Sequence, residues 1–144
     1  MAPMRAMRIL AAEDNRTNRL VFGKIVKALD IDLTFAENGQ QAVEAYMACP
    51  PDLVFMDISM PLVDGTEATR LIRAHARDTG LPAPRIVAMT AHAMDGDAEA
   101  LLAQGLDRVL TKPLRKALIL EEIANACPAE CRPPLPAAET TAAE

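Results

Sequence analysis

The 144-residue chain contains no tryptophan, and only 3% of its residues are aromatic. Its core must therefore be built mainly from isoleucine, leucine, valine, methionine and alanine. The sequence also lacks an apolar run of about 18 residues that could cross a membrane as a helix. The opening residues MAPMRAMRIL have too little uninterrupted apolar length for a signal peptide. We therefore expect a cytoplasmic protein without a membrane partner.

Cysteines and clustered basic residues are also scarce. The three cysteines, Cys49, Cys127 and Cys131, match no C-x-x-C spacing, which argues against a disulfide framework and against a zinc site. The formal net charge is -5, and no cluster of Lys and Arg could neutralise the phosphates of a nucleic acid. Nucleic acid is therefore not an expected partner.

The sequence does contain an alternation of short apolar runs and amphipathic segments. The segments between the runs place apolar residues at helical spacing; the fourth covers residues 95–104 before Gly105, and the fifth covers residues 114–126. Strands joined by helices form βαβ units, so the alternation predicts a three-layer α/β fold with a parallel sheet. Five runs have the length of a strand: 7–12 (MRILAA), 31–36 (IDLTFA), 52–57 (DLVFMD), 85–90 (RIVAMT) and 107–112 (DRVLTK).

The length of the chain accommodates one domain, which we assign to residues 7–126. The segment after it, residues 127–144, is rich in proline and alanine and has almost no bulky apolar side chain. Such a composition does not offset the entropy of ordering. We therefore expect a flexible tail there and a flexible extension at residues 1–6.

Polar side chains stand at the ends of four of the five predicted strands. Strand 1 is followed by Glu13 and Asp14, strand 3 ends at Asp57, strand 4 at Thr90 and strand 5 at Lys112. The carboxyl ends of parallel strands share one edge, where α/β proteins bind ligands. Each residue alone has an ordinary explanation, such as a helix cap or a solvated loop charge. Four such coincidences on one edge are a poor explanation, so we expect a site.

The chemistry of this set favours a hard metal ion and a phosphoryl group. Two carboxylates about 4 Å apart repel each other by roughly 4 kcal/mol at an effective dielectric constant near 20. Lys112 offsets part of this repulsion and a divalent cation offsets more; oxygen ligands are what Mg²⁺ prefers. An aspartate beside such a cation can attack phosphorus and form an acyl phosphate, with Lys112 and the Thr90 hydroxyl stabilising the phosphoryl oxygens.

With these residues in place, the sequence resembles the receiver domains of two-component response regulators over about residues 7–126. The resemblance implies a flavodoxin-like three-layer sandwich, in which a five-stranded parallel sheet of order 2-1-3-4-5 is covered by five helices. Each matching motif is short, but together and in this order they are specific. The motifs are EDN at 13–15, FMDISMPLVDG at 55–65, MTA at 89–91 and TKP at 111–113.

The resemblance implies a role for each residue of the site. Asp57 resembles the phosphoacceptor, and Lys112 resembles the lysine that pairs with the phosphoryl group. Glu13 and Asp14 resemble the acidic pair that holds Mg²⁺ together with Asp57 and the backbone carbonyl of Ser59. Mn²⁺ is the alternative ion.

The switch residues resemble those of the family with one departure. Thr90 resembles the hydroxyl that moves toward the phosphoryl oxygens, and the small Ala91 would leave the phosphate accessible. The family often places Tyr or Phe three residues before the lysine, where this sequence has Val109. Because valine cannot exchange between exposed and buried rotamers as an aromatic ring does, movement of Thr90 and of the loop after it would have to transmit the signal.

Four further positions complete the resemblance. Ser59 and His92 correspond to positions that modulate dephosphorylation, although His92 fits an ordinary exposed loop residue equally well. Pro113 resembles the proline after the lysine, where a cis peptide bond is usual. Gly65 resembles the glycine in the turn after the phosphoacceptor and is expected to be free to adopt positive φ.

The expected function is that of a phosphoacceptor receiver. It would take a phosphoryl group from the histidine of a sensor kinase or a phosphotransfer domain onto Asp57, with Mg²⁺, and switch conformation to signal to a partner protein. Such a domain dephosphorylates itself weakly and is a switch more than an enzyme. No DNA-binding output domain is expected after residue 126. The EDN triplet is similar to receivers of hybrid sensor kinases, and a single-domain response regulator is also compatible.

Two other classes share parts of this pattern. A small Mg²⁺-dependent phosphohydrolase with an aspartate nucleophile would also use a lysine. Such enzymes typically carry a second Asp two residues after the nucleophile, where this sequence has Ser59. A nucleotide-binding Rossmann-like domain would carry a glycine-rich motif after strand 1, where this sequence reads EDNRTN.

Overall fold

A computed structural model describes residues 5–58, 64–81, 83–91, 97–112 and 115–134. Within these ranges, five strands alternate with five helices, as the sequence predicts. No helix in the described ranges is long and apolar enough to span a membrane. Each strand end lies within one residue of its predicted position. The elements are β1 Met7–Ala12, α1 Arg16–Ile25, β2 Ile31–Ala36, α2 Gly39–Ala48, β3 Leu53–Asp57, α3 Gly65–Thr79, β4 Arg85–Thr90, α4 Asp97–Ala103, β5 Arg108–Thr111 and α5 Lys116–Ala126.

The five strands form one parallel sheet in the order β2-β1-β3-β4-β5, which confirms the predicted flavodoxin-like topology. The chain first moves from β1 to β2 and then crosses back to β3. The reversal opens a crevice beyond the carboxyl ends of β1 and β3, where such folds bind ligands. Ala12 pairs with Met56, so the next residues of the two strands, Glu13 and Asp57, lie side by side at this crevice.

Alternating strand residues supply two separate core layers. Leu10, Val54 and Ile86 face one side, where α2, α3 and α4 cover the sheet. Ile9 and Phe55 face the other side, where α1 and α5 pack. The chain has only four aromatic residues, and three of them lie in the core, namely Phe22, Tyr46 and Phe55.

Helix caps set where the chain turns away from the sheet. The side chain of Asn15 accepts a hydrogen bond from the Asn18 amide at the start of α1, and Asp64 accepts one from the Glu67 amide at the start of α3. These caps place α1 and α3 directly after the strands that form the crevice. After α4, Gly105 has φ of 105°, as expected for the glycine predicted to end that helix.

Arg5, which lies in the predicted flexible extension, is tied to the sheet by an ion pair. Both terminal nitrogens of Arg5 lie 2.9 Å from the carboxylate oxygens of Asp52. The backbone amide of Arg8 donates to the same carboxylate at 2.8 Å. A bidentate ion pair with a partly buried carboxylate is a stronger anchor than an exposed pair. Arg5 is therefore part of the folded domain, while residues 1–4 lie outside the described residues.

The segment after α5, which lies in the predicted flexible tail, makes contacts with the sheet: residues 127–134 pack beneath its amino-terminal edge. Cys131 forms an isolated parallel bridge with Arg5 and is 3% exposed. The guanidinium of Arg132 lies 2.7 Å from Asp30, whose amide donates to the Pro134 carbonyl at 3.0 Å. These contacts offset the cost of ordering that composition alone suggested would prevail. Residues 135–144 lie outside the described residues.

Helix α5 is tied to the sheet by a buried carboxylate. Glu122 is 1% exposed and accepts a hydrogen bond from Arg85 at 2.9 Å and another from Arg108. Burial raises the pKa of this carboxyl, but the two arginines outweigh burial and hold the pKa below its ordinary value of 4.5. Glu122 therefore stays ionised and joins α5 to β4 and β5.

Glu122→Gln should destabilise the domain at neutral pH by about 2 kcal/mol, because it weakens two charge-assisted hydrogen bonds. A carboxyl with a depressed pKa stabilises the fold above its unfolded-state pKa of about 4.5, and this stabilisation is lost as pH falls through the lower folded-state value. Urea unfolding at several pH values should therefore show a smaller difference between variant and wild type in acid. The exposed neighbour Glu121→Gln is the control; equal effects of the two substitutions would contradict this account.

Candidate functional site

Three carboxylates meet at the crevice between β1 and β3. Glu13 and Asp57 are 4% and 2% exposed, whereas Asp14 is exposed on the loop that leads into α1. One ligand oxygen from each of the three lies within 4.8 Å of the others. The structure thus brings together side chains that are 43 residues apart from Asp14 to Asp57. Such a spacing of oxygens suits a hard divalent cation.

Lys112 bridges the two buried carboxylates from the opposite side of the site. Its Nζ atom lies 2.9 Å from Glu13 Oε1 and 3.2 Å from Asp57 Oδ2. Burial lowers the pKa of the Lys112 ammonium, but the pairing with Glu13 and Asp57 outweighs burial and raises the pKa above its usual range. The lysine therefore carries a full positive charge between the two carboxylates. The amide of Lys112 donates to the Thr90 carbonyl at 2.8 Å, which holds the residue at the end of β5.

Glu13 is ionised despite its burial. Burial raises the pKa of its carboxyl, but the Lys112 ammonium and the hydrogen bond from the Asn15 amide outweigh burial and hold the pKa below its usual range. The Asn15 amide donates to Oε2 at 3.2 Å. The site thus presents negative charge toward solvent at neutral pH.

Two further residues hold Glu13, and neither was predicted from the sequence to belong to the site. Asn18 donates from Nδ2 to Glu13 Oε1 at 3.2 Å, and Arg19 donates to the Glu13 backbone carbonyl at 2.8 Å. Helical side chains tilt toward the helix amino terminus, so residues one turn after the cap can reach back to the strand end. The spacing of Asn18 and Arg19 after the EDN triplet is the signal that could have identified them.

The start of α3 packs directly against the backbone of Asp57 at the end of β3. The amide of Gly65 donates to the Ile58 carbonyl at 3.1 Å. A Cβ atom at Gly65 would lie 2.2 Å from the carbonyl oxygen of Asp57 and 2.9 Å from Ile58 Cα. Gly65 does not have positive φ, so that expectation is wrong. Glycine is required here because a side chain would collide with the backbone of Asp57.

The acidic residues line a cavity of about 360 Å³ that opens to solvent. A second, mostly apolar cavity of about 220 Å³ adjoins it and shares Glu13, Asn18 and Lys112 as a common wall. The acidic cavity is lined by Glu13, Asp14, Asn15, Asn18, Asp57, Ala91 and Lys112. The apolar cavity is lined, besides the common wall, by Ala11, Val21, Phe22, Ile25, Phe35 and Met89.

The remaining predicted residues occupy different positions. Thr90 ends β4 and is 8% exposed, while the exposed Ala91 after it lines the acidic cavity. Val109 is half-buried and packs against the core layer beneath α2, α3 and α4. Three predicted residues lie outside the described residues: Ser59, His92 and Pro113.

The sequence profile of the response regulator receiver domain matches residues 9–124 of the chain. The chain belongs to this family. The receiver is therefore a component of two-component signal transduction. It is 34% identical to the sensor protein GacS of Pseudomonas syringae pv. syringae over 140 residues, which cover 97% of the chain. The receiver spans between 6% and 15% of the lengths of the curated relatives compared with it.

Two solved structures show the same architecture. The receiver domain of the sensor histidine kinase PA1611 from Pseudomonas aeruginosa, which has a magnesium ion in its active site cleft, is 34% identical with a TM-score of 0.71; the match covers 81% of this receiver and 93% of that chain. A chain in the complex of the Saccharomyces cerevisiae phosphotransfer protein Ypd1 with the receiver domain of Ssk1 has a TM-score of 0.78 at 28% identity, covering 85% of this receiver and 90% of that chain.

Gly65→Ala should destabilise the receiver by about 1 to 3 kcal/mol, because the added methyl group forces the start of α3 away from the backbone of Asp57. Thermal or urea unfolding measures the loss. Gly23→Ala in the middle of α1 is the matched control, since its Cβ would meet only the Phe35 ring at 3.9 Å. That control should stabilise the protein by about 0.5 to 1 kcal/mol. A Gly65→Ala variant that is as stable as the wild type would contradict the close approach of α3 to the backbone of Asp57.

Proposed function

We propose that this receiver accepts a phosphoryl group on Asp57 from a phosphohistidine of a sensor kinase or a phosphotransfer domain. The observation that carries the proposal is the position of Asp57. Its carboxylate lines an open cavity, lies 3.2 Å from the Lys112 ammonium and shares a cluster of oxygens with Glu13 and Asp14. A nucleophile, a cation for the phosphoryl oxygens and a set of metal ligands thus face the same volume.

The transfer itself needs little from the protein beyond positioning and charge. A carboxylate oxygen of Asp57 attacks phosphorus, and the bond between phosphorus and the imidazole nitrogen of the donor breaks. The electron pair of that bond stays on the nitrogen. The Lys112 ammonium then pairs with a phosphoryl oxygen instead of the Asp57 carboxylate, and the hydroxyl of Thr90 donates a hydrogen bond to another phosphoryl oxygen.

The oxygen ligands fit Mg²⁺, with Mn²⁺ as the alternative ion. Glu13, Asp14 and Asp57 would hold it, with the Ser59 carbonyl as the ligand that the family resemblance adds. Carboxylate oxygens within 4.8 Å of one another, without a soft ligand among them, match the preferences of this ion. When bound, the cation neutralises charge that develops on the phosphoryl oxygens and lowers the repulsion among the carboxylates.

The phosphoryl group acts as a switch signal. Its oxygens would draw the Thr90 hydroxyl, and with it the chain after β4, toward Asp57. Since Val109 already packs against the core, the movement of that loop is the proposed output to a partner protein. Slow attack by water on the phosphorus of phospho-Asp57 returns the resting state. This weak autodephosphorylation acts on the receiver itself, so turnover of an external substrate, as in a phosphohydrolase, is not part of the proposal.

A histidine phosphotransfer domain fits the surface beside Asp57. The apolar cavity adjoins the acidic one, and on α1 next to it Leu20 and Val21 are 56% and 50% exposed. A macromolecular donor must cover this surface when it brings its phosphohistidine to Asp57, and covering exposed apolar side chains favours its docking. The yeast structure described above, which pairs a phosphotransfer protein with a receiver domain, supports this choice of partner.

Incubation with a small acyl phosphate donor and Mg²⁺ should add the mass of one phosphoryl group to the wild type and none to Asp57→Asn. Intact-mass spectrometry measures the gain. The addition of a metal chelator should abolish it, because the carboxylates alone repel the incoming phosphate. Equal labelling of both proteins, or none of the wild type, would contradict the proposal.

Val21→Asp should slow phosphoryl transfer from a phosphorylated histidine phosphotransfer domain by about tenfold, because it places a charge in the apolar contact between that domain and α1. Transfer from the small donor should be unaffected, since that donor needs no docking surface. The partner for the assay is a phosphotransfer domain that transfers to the wild-type receiver. Met47→Asp on α2 is the matched control, because Met47 is also 50% exposed. Equal slowing with both donors would refute docking at this surface.

A further inference from the structure

Asn18 stands where the acidic and apolar cavities meet, and its two amide groups have separate roles. Its backbone amide donates to the Asn15 side chain at 3.0 Å and belongs to the cap of α1. Its side-chain Nδ2 donates to Glu13 Oε1 at 3.2 Å. Because the cap uses only the backbone of Asn18, the side chain is not needed for starting the helix. Its contact with Glu13 requires another explanation.

The oxygen that Asn18 contacts has a second donor. Glu13 Oε1 also accepts from Lys112 Nζ at 2.9 Å, and the same ammonium lies 3.2 Å from Asp57 Oδ2. A phosphoryl group on Asp57 adds negative charge at the second of these positions and draws the ammonium away from the first. Because Glu13 is only 4% exposed, leaving its carboxylate oxygen without a hydrogen-bond partner would cost free energy.

We propose that Asn18 is a positioning residue that holds Glu13 in place while Lys112 changes partner from Glu13 to the phosphoryl group. Among the described residues, two side-chain nitrogens donate to Glu13 Oε1, namely those of Lys112 and Asn18. Its neutral amide shares the oxygen with the ammonium in the resting state and remains when the ammonium leaves. The inference rests on the proposed phosphorylation of Asp57 and adds a residue to it.

The side chain of Asn18 should matter for the transfer and not for metal binding in the resting state. Asn18→Leu keeps the branched shape of the side chain and removes the donor. It should slow phosphorylation by a small acyl phosphate about threefold to tenfold, with the half-saturating donor concentration unchanged. Mg²⁺ affinity of the unphosphorylated protein, measured by calorimetry, should stay within about twofold, because Lys112 still holds Glu13 in that state.

Two comparisons separate this role from a general effect on α1. Asn18→Gln retains an amide donor and should recover most of the rate. Thr17→Ala, at the exposed neighbouring position outside both cavities, should leave the rate unchanged. Equal slowing by the Leu and Gln variants, or a loss of Mg²⁺ affinity as large as the loss of rate, would overturn the positioning role.

The same assay distinguishes failure of this inference from failure of the proposed function. A wild type that is phosphorylated and an Asn18→Leu variant with the same rate constant would refute the role of Asn18 alone. A wild type that takes up no phosphoryl group would refute the function of Asp57, and the role of Asn18 would fall with it.

Discussion

The site depends on one charge, the ammonium of Lys112 between two buried carboxylates. Glu13 and Asp57 occupy neighbouring positions at the ends of adjacent strands, where their repulsion would otherwise oppose folding of this edge. The contacts of 2.9 Å and 3.2 Å from Lys112 Nζ offset that repulsion without removing it, because Asp14 adds a third carboxylate. The remaining negative charge favours a divalent cation, and Lys112 would stabilise the oxygens of the proposed phosphoryl group on Asp57.

The rest of the fold keeps these groups at fixed positions. The sheet order places β1 next to β3, and the parallel register brings Glu13 beside Asp57. Gly65 lets α3 start against the backbone of Asp57, and the first turn of α1 holds Glu13 through Asn18 and Arg19. The helices that follow β1 and β3 thus support the site as well as covering the sheet. On the far edge, Arg5 and residues 127–134 close the amino-terminal ends of the strands.

Patterns of short range made much of this structure predictable. Each strand is a brief apolar run between amphipathic segments, and alternate residues of these runs enter the two core layers. The polar residues after β1, β3, β4 and β5 marked the functional edge, because parallel strands share it. Gly105 ended α4 by a local backbone preference that sequence shows directly. The contacts of residues 127–134 could not be read from the sequence, because their partners, Arg5 and Asp30, lie far away in the chain.

By itself, the sequence determined the α/β class, the strand positions and the identity of the acidic residues, lysine and threonine, since composition and periodicity act over a few residues at a time. Only the tertiary structure decided which oxygen of Glu13 the lysine contacts, that Asn18 shares this oxygen, and that Gly65 is needed for close approach rather than for positive φ. These are distances between elements separated by up to 99 residues. They depend on how helices and strands pack, and no local pattern specifies that.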